Sequence, residues 1–177
     1  MTNDEITLHR GLAGVYFDRS ATTFIDGKEG VLEYRGYNIN ELAEHSTFEE
    51  TAYLLIYGVL PTQAQLDDYD AELKGARELP EQIFDVIEIV KDAHPMDALR
   101  TAVSALSGFD PDRNDNSTEA TIRKGLRLTS QVPSIVMAHH NIRRGKDPIK
   151  PSTTLNHAGN FLYMMDGNEP SGQAMNL

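Results

Sequence analysis

From residue 38 onward the apolar positions of this 177-residue chain recur at helical spacing, and only residues 22–35 depart from it. Residues 22–25 and 31–35 are β-prone runs around Asp26-Gly27-Lys28-Glu29-Gly30, a hairpin signal in which the glycines supply positive φ. No other strand is expected. Asn38 or Asn40 can cap a short helix through Leu42 and Ala43. Thr47 and Glu50 make a capping box that opens a helix to Tyr57, with Ala52, Leu55, Ile56 and Val59 expected on one face and Gly58 at the end. Thr62 repeats the device before an acidic helix carrying Leu66, Tyr69 and Leu73, and Pro80 begins another with Ile83, Phe84, Ile87 and Val90. Ser117 caps a long helix towards Arg144, with Ile122, Leu126, Val132, Ile135 and Val136 near one face; Pro133 is expected to kink it. Residues 154–165 read as a further helix, and residues 171–177 as the first turns of one more. The expectation is an all-α fold with one small N-terminal β-hairpin, preceded by a lead-in over residues 1–20.

One helix stands apart, over residues 95–107. Pro95 suits its first position, Asp97 complements the dipole in the first turn, and Gly108 is a natural stop. Leu99, Val103 and Leu106 form one apolar stripe, and Ala98, Ala102 and Ala105 form a second, of small side chains. Arg100 is its only charge after Asp97, so the helix is expected to be covered on all sides. Two readings stay open: the central core helix of one domain, or a helix at a subunit interface whose alanines let a partner helix approach closely.

Composition narrows the class. Hydrophobic residues at 40% and charged residues at 24% are ordinary for a soluble globular protein. No run of about 18 apolar residues is present, and the polar start over residues 1–10 is unlike a signal peptide, so the expected compartment is the cytoplasm. Without cysteine there is no disulfide, thiolate catalysis or Cys-ligated zinc. The net charge of −11 argues against nucleic acid and anionic membranes, though a local arginine cluster can still receive a small anion.

Candidate chemistry is sparse. The six histidines, His9, His45, His94, His139, His140 and His157, show no metal-binding spacing, and His139 and His140 point about 100° apart on a helix. His94, before Pro95, is placed to cap the backbone. There is no Gly-rich phosphate loop, nucleophile elbow or Rossmann fingerprint. Arg143, Arg144, Lys146 and Lys150 surround a helix C-terminus, where cations stabilise. Arg123, Lys124 and Arg127 lie near a helix N-terminus, where the dipole gives no reason for them, and so have the better claim to an anion.

Several stretches together resemble the citrate synthase family. They are Ile25-Asp26-Gly27-Lys28-Glu29-Gly30-Val31-Leu32-Glu33-Tyr34-Arg35-Gly36-Tyr37, Thr51-Ala52-Tyr53-Leu54-Leu55-Ile56-Tyr57-Gly58-Val59-Leu60-Pro61-Thr62, His94-Pro95-Met96, Val132-Pro133-Ser134-Ile135-Val136 and Asn160-Phe161-Leu162-Tyr163-Met164. The resemblance covers residues 11–177 and is similar to citrate and 2-methylcitrate synthases alike. It implies a multi-helical, two-domain homodimer of twice this length or more, in which residues 21–177 are the N-terminal portion of the large domain.

The implied activity is condensation of acetyl-CoA with oxaloacetate to citrate and CoA; the alternatives are propionyl-CoA as the thioester, or a truncated, non-catalytic helical paralogue that binds a full-length partner. Coenzyme A thioester is then substrate, and neither cofactor nor metal is expected. In the family a carboxylate deprotonates the thioester methyl, one histidine stabilises the enol and another protonates the ketone. Their motifs include a His-Gly dipeptide, which this chain lacks, so the catalytic residues are expected beyond Leu177 and this chain alone is expected to be inactive. Ala98, Ala102 and Ala105 are then expected at the dimer interface, and Arg123, Lys124 and Arg127 against the phosphates of coenzyme A.

Overall fold

The computed structural model describes residues 11, 14, 15 and 18–172. Near the N-terminus β1 (Thr23–Asp26) and β2 (Val31–Tyr34) pair antiparallel, from Thr23 opposite Tyr34 to Asp26 opposite Val31. Asp26 Oδ1 closes the turn by accepting the backbone N–H groups of Lys28 at 2.9 Å and Glu29 at 3.2 Å. The hairpin carries an unexpected third strand, β3 (Tyr37–Asn38), on the far side of β2. Arg35 and Gly36 reverse the chain there with φ of 52° and 87°. A two-residue strand is too short for alternation to announce it.

Helices α1 (Ile39–His45), α2 (Phe48–Tyr57), α3 (Gln63–Gly75), α4 (Glu81–Ile89), α5 (Pro95–Leu106), α6 (Thr118–Ile142) and α7 (His157–Asp166), with the loops between them, follow along the described chain. Their starts follow the capping chemistry. Asn38 caps α1, and the Thr47–Glu50 and Thr62–Gln65 boxes open α2 and α3. Ser117 accepts from the Ala120 N–H at 3.2 Å. Gly58 ends α2 in the left-handed region at φ 84°, its N–H donating to the Leu54 carbonyl. α7 begins three residues later than its periodicity indicates, because the Asn156 side chain caps it through the Gly159 N–H at 2.8 Å. Residues 1–10 and 173–177 lie outside the described residues, and with them most of the lead-in and of the final expected helix.

α6, not α5, is the central element. It packs against α3, α4, α5 and α7, and its second half buries Ser134, Ile135, Met137, Ala138, His139, Asn141 and Ile142. It runs through Pro133 without interruption. Around that proline, side chains fasten it to the α3–α4 turn: Ser134 Oγ donates to the Arg77 carbonyl at 2.8 Å, and Gln131 Nε2 to that of Glu78 at 3.2 Å. α5 is amphipathic. Ala98 and Ala102 are completely buried inside the chain, where Ala102 and Leu106 pack with Ile83, Ile87, Ile135, Ala138 and Ile142. Met96, Asp97, Arg100, Thr101 and Ser104 face outward. Thr101 and Ser104 made the outer face look charge-poor in sequence, although small hydroxyls are solvated as readily as charges. The face of α2 also differs from expectation: Tyr53 and Leu54 are buried and Val59 is exposed.

The α5–α6 loop is held down by α6. Arg123 grips Asp112 through Nε at 3.0 Å and Nη2 at 2.7 Å. Arg127 reaches Asp110 with the same pair of nitrogens and adds a 2.7 Å bond from Nη2 to Asp112. Lys124 Nζ donates to the Asp115 carbonyl. The hydrogen bond from Arg123, then that from Arg127, holds the Asp112 carboxyl well below the ordinary carboxylate range.

Two outcomes follow. Ala102→Leu drives a larger side chain between α4 and α6 and should cost about 1–3 kcal/mol, read as a lower urea midpoint with an unchanged slope. A midpoint equal to that of the parent would mean that this contact is loosely packed. Asp112 binds its proton less readily in the native state than when unfolded, so its contribution is complete above the ordinary carboxylate range and declines as pH falls below about 4. Asp112→Asn should therefore lower Tm near neutral pH by a few degrees, and the gap to the parent should close on acidification. A gap independent of pH would assign the effect to something other than the carboxylate.

Candidate functional site

The residues singled out by sequence have internal partners. Arg123 and Arg127 share Asp112, and Lys124 and Arg127 border a cleft of about 250 Å³ that Val103, Leu106, Phe109 and Leu128 help to line. Their hydrogen-bonding edges are directed at Asp110, Asp112 and the Asp115 carbonyl, which accounts for cations at this end of the helix. Ala98 and Ala102 are covered from within the chain, and Ala105 packs partly buried against the same core. Of the two readings of the stripe, this burial fits the core helix: alanines admit a neighbouring helix, and the neighbours within the chain are α4 and α6.

The histidines are dispersed. His94 Nδ1 accepts the Met96 N–H at 3.2 Å, as a cap. His139 Nε2 meets the Lys91 carbonyl at 3.2 Å, and His140 lies 2.9 Å from Arg144 Nη1. Among the described residues no group of three or more His, Cys, Asp or Glu side chains could hold a metal ion.

What the sequence reading missed is a polar junction beneath the start of α7. Arg77, at the end of α3, is only 1% exposed, and its Nη1 donates to the carbonyls of Ser152 at 2.6 Å and Leu155 at 2.9 Å. Glu49, in the first turn of α2, accepts the His157 backbone N–H at 2.7 Å. The His157 ring stacks on Phe48 with centroids 4.1 Å apart and planes 11° from parallel. Burial, then the Arg77 charge, lowers the His157 pKa, while Glu49 opposes them, so the ring is neutral at physiological pH. Asn160 Oδ1 accepts the Ser152 N–H at 2.8 Å, and Asn141 Nδ2 donates to the Met164 carbonyl at 2.9 Å. One signal was present: Arg77 extends the Tyr69, Leu73 stripe by another four residues, placing a charge on a buried face.

The junction directs its charged groups at backbone atoms, so it orients the entry to α7 and carries no reacting pair. Its product is a fixed direction for the chain leaving α6.

Comparison with known proteins gives this scaffold a context. The family model described as citrate synthase, C-terminal domain, matches residues 11–177. The chain is 44% identical over 169 residues to a citrate synthase of Deinococcus radiodurans, covering 95% of this chain and 45% of that protein. It is 35% identical over 162 residues to a citrate/2-methylcitrate synthase of Bacillus subtilis, covering 91% and 44% respectively. The crystal structure of citrate synthase from Pyrobaculum aerophilum superimposes with a TM-score of 0.89 at 39% identity, over 93% of this chain and 44% of that one. The chain thus spans less than half the length of these relatives, in one continuous helical scaffold. It belongs to the citrate synthase family.

Proposed function

We propose that this chain is the N-terminal scaffold of an enzyme that condenses acetyl-CoA with oxaloacetate, releasing citrate and CoA. The observation that carries the reading is identity of 44% to a citrate synthase spread over 95% of the chain. Carbanion chemistry on a thioester needs a base within reach of the methyl group and donors aimed at the developing enolate. His94, His139, His140, Glu49, Asp110 and Asp112 are engaged in caps, backbone bonds and side-chain pairs. The catalytic groups belong to the part of the protein beyond Leu177, and the α7 junction serves them by fixing the direction of the chain that leads there. Propionyl-CoA is the alternative thioester, supported by likeness to the citrate/2-methylcitrate synthase, though at lower identity.

The working enzyme is a homodimer. With the alanine stripe covered internally, a second copy is received on the outward face of α5, where Met96 is 63% exposed beside Arg100, Thr101 and Ser104. A charge placed at Ala102 would test folding; one placed at Thr101 tests assembly.

Release of free coenzyme A, followed with a thiol reagent in the presence of oxaloacetate, should appear with a longer chain that continues past Leu177 and be absent with the 177-residue chain. Turnover by the 177-residue chain would relocate the centre into it and reopen the roles of His94 and His157. Acetyl-CoA should be consumed faster than propionyl-CoA; the reverse order would favour the 2-methylcitrate reading. In the longer protein, Thr101→Arg should shift sedimentation from dimer to monomer with the helical signal unchanged. A dimer of unchanged dissociation constant would move the interface elsewhere.

A further inference from the structure

Three tyrosines of α2 and α3 close on one another at the surface. The Tyr53 and Tyr57 rings lie 4.3 Å apart, tilted by 35°. Tyr69 stands almost perpendicular to both, at 88° and 5.5 Å from Tyr53 and at 86° and 6.2 Å from Tyr57. Tyr53 and Tyr69 are 8% and 3% exposed, so they form a fixed floor, whereas Tyr57 is 41% exposed and forms the open wall. The notch holds about 220 Å³ and is completed by Gln65, Asp68 and Glu72. Gln65 is held in place by the capping box, its Oε1 accepting from Thr62 N and Oγ1. Asp68 and Glu72 sit one turn apart on α3, and neither is among the carboxylates paired with a cation in the described residues.

We propose that this notch binds an onium group, a quaternary or trimethylated ammonium ion, seated on the tyrosine corner and neutralised by Asp68 and Glu72. Aromatic faces carry the negative lobe of the ring quadrupole; Tyr57 offers the open ring, and Tyr53 and Tyr69 pack against it and hold it in place. A neutral apolar guest would leave the two carboxylates without a partner. A compact primary ammonium holds its water more tightly, while methyl groups fill an aromatic corner and spread the charge over it. The chain's net charge of −11 adds attraction at longer range. The wall and one ring of the floor are neutral at physiological pH: burial, then Glu72, raises the Tyr57 phenol, and burial above all pushes Tyr69 up to about 12. Glu72, which raises the Tyr57 phenol, also lines the notch that an incoming cation enters.

The test is ligand-observed saturation-transfer NMR on the methyl protons of choline added to the full chain at constant ionic strength. Tyrosine emission is a second reading, free of tryptophan because the sequence has none. Choline should bind saturably, and its neutral isostere 3,3-dimethylbutan-1-ol should bind at least several-fold more weakly. Tyr57→Phe, which keeps the ring, should retain binding; Tyr57→Leu and Glu72→Gln, both at exposed positions, should weaken it by about three- to tenfold. A trimethyllysine peptide that binds more tightly than choline would identify the source as a modified protein segment, and one that binds no better would identify a free small ion. Equal binding of choline and its isostere, or full choline affinity in Tyr57→Leu, would overturn the proposal.

Discussion

A guanidinium that water does not reach can be satisfied only by the protein itself, and much of this fold depends on the two carbonyls that Arg77 Nη1 finds. Desolvating a charge costs several kcal/mol, as an order of magnitude, unless strong acceptors replace the lost water. Here the replacements are the Ser152 and Leu155 carbonyls, which belong to the segment entering α7 and both accept from Nη1, while Nε and Nη2 are buried without a hydrogen-bond partner. The same residue offers its own carbonyl to Ser134 on α6. One side chain and one backbone group thus join the end of α3, the middle of α6 and the start of α7. Glu49 adds the fourth element by taking the His157 N–H. Because the partners are backbone atoms, the junction constrains the path of the chain more than the identity of side chains around it.

α6 can be surrounded so closely because its neighbours present small or flat surfaces. Ala102 on α5 and Ala138 on α6 admit the bulkier Ile83 and Ile87 of α4 between them. The arginines near the start of α6 solve a different problem. They make an acidic loop, whose own charges would repel it from an acidic protein, into a rigid strap through two bidentate pairs.

Most of the helices were legible in the sequence because capping is local chemistry: Thr47 with Glu50, Thr62 with Gln65, and Ser117 each announce a start from residues three apart. The family was legible too, from ordered motifs that need no three-dimensional knowledge. The faces of the helices were harder. The outward side of α5 is built from Thr101 and Ser104, which periodicity cannot tell from a buried small-residue stripe, and so the sequence leaves open whether Ala98 and Ala102 meet the core or a second copy. The arginine cluster was found but its partners were not, because Asp110 and Asp112 lie 11–17 residues away across a loop. The α7 junction was missed for the same reason, magnified by distances in sequence of 75–108 residues.

Those separations also order the assembly of the molecule in time. Local contacts, such as the capping boxes and the α4–α5 packing, close short loops and form early, whereas contacts between distant residues wait for the entropy of long loop closure to be met. Glu49 and His157 are 108 residues apart, so their contact carries the loop-closure entropy of that whole span. Until it forms, Arg77 remains hydrated and the α3–α4 turn is held less firmly against α6. The segment that enters α7 is what covers this charge, and it joins helices that would otherwise only touch.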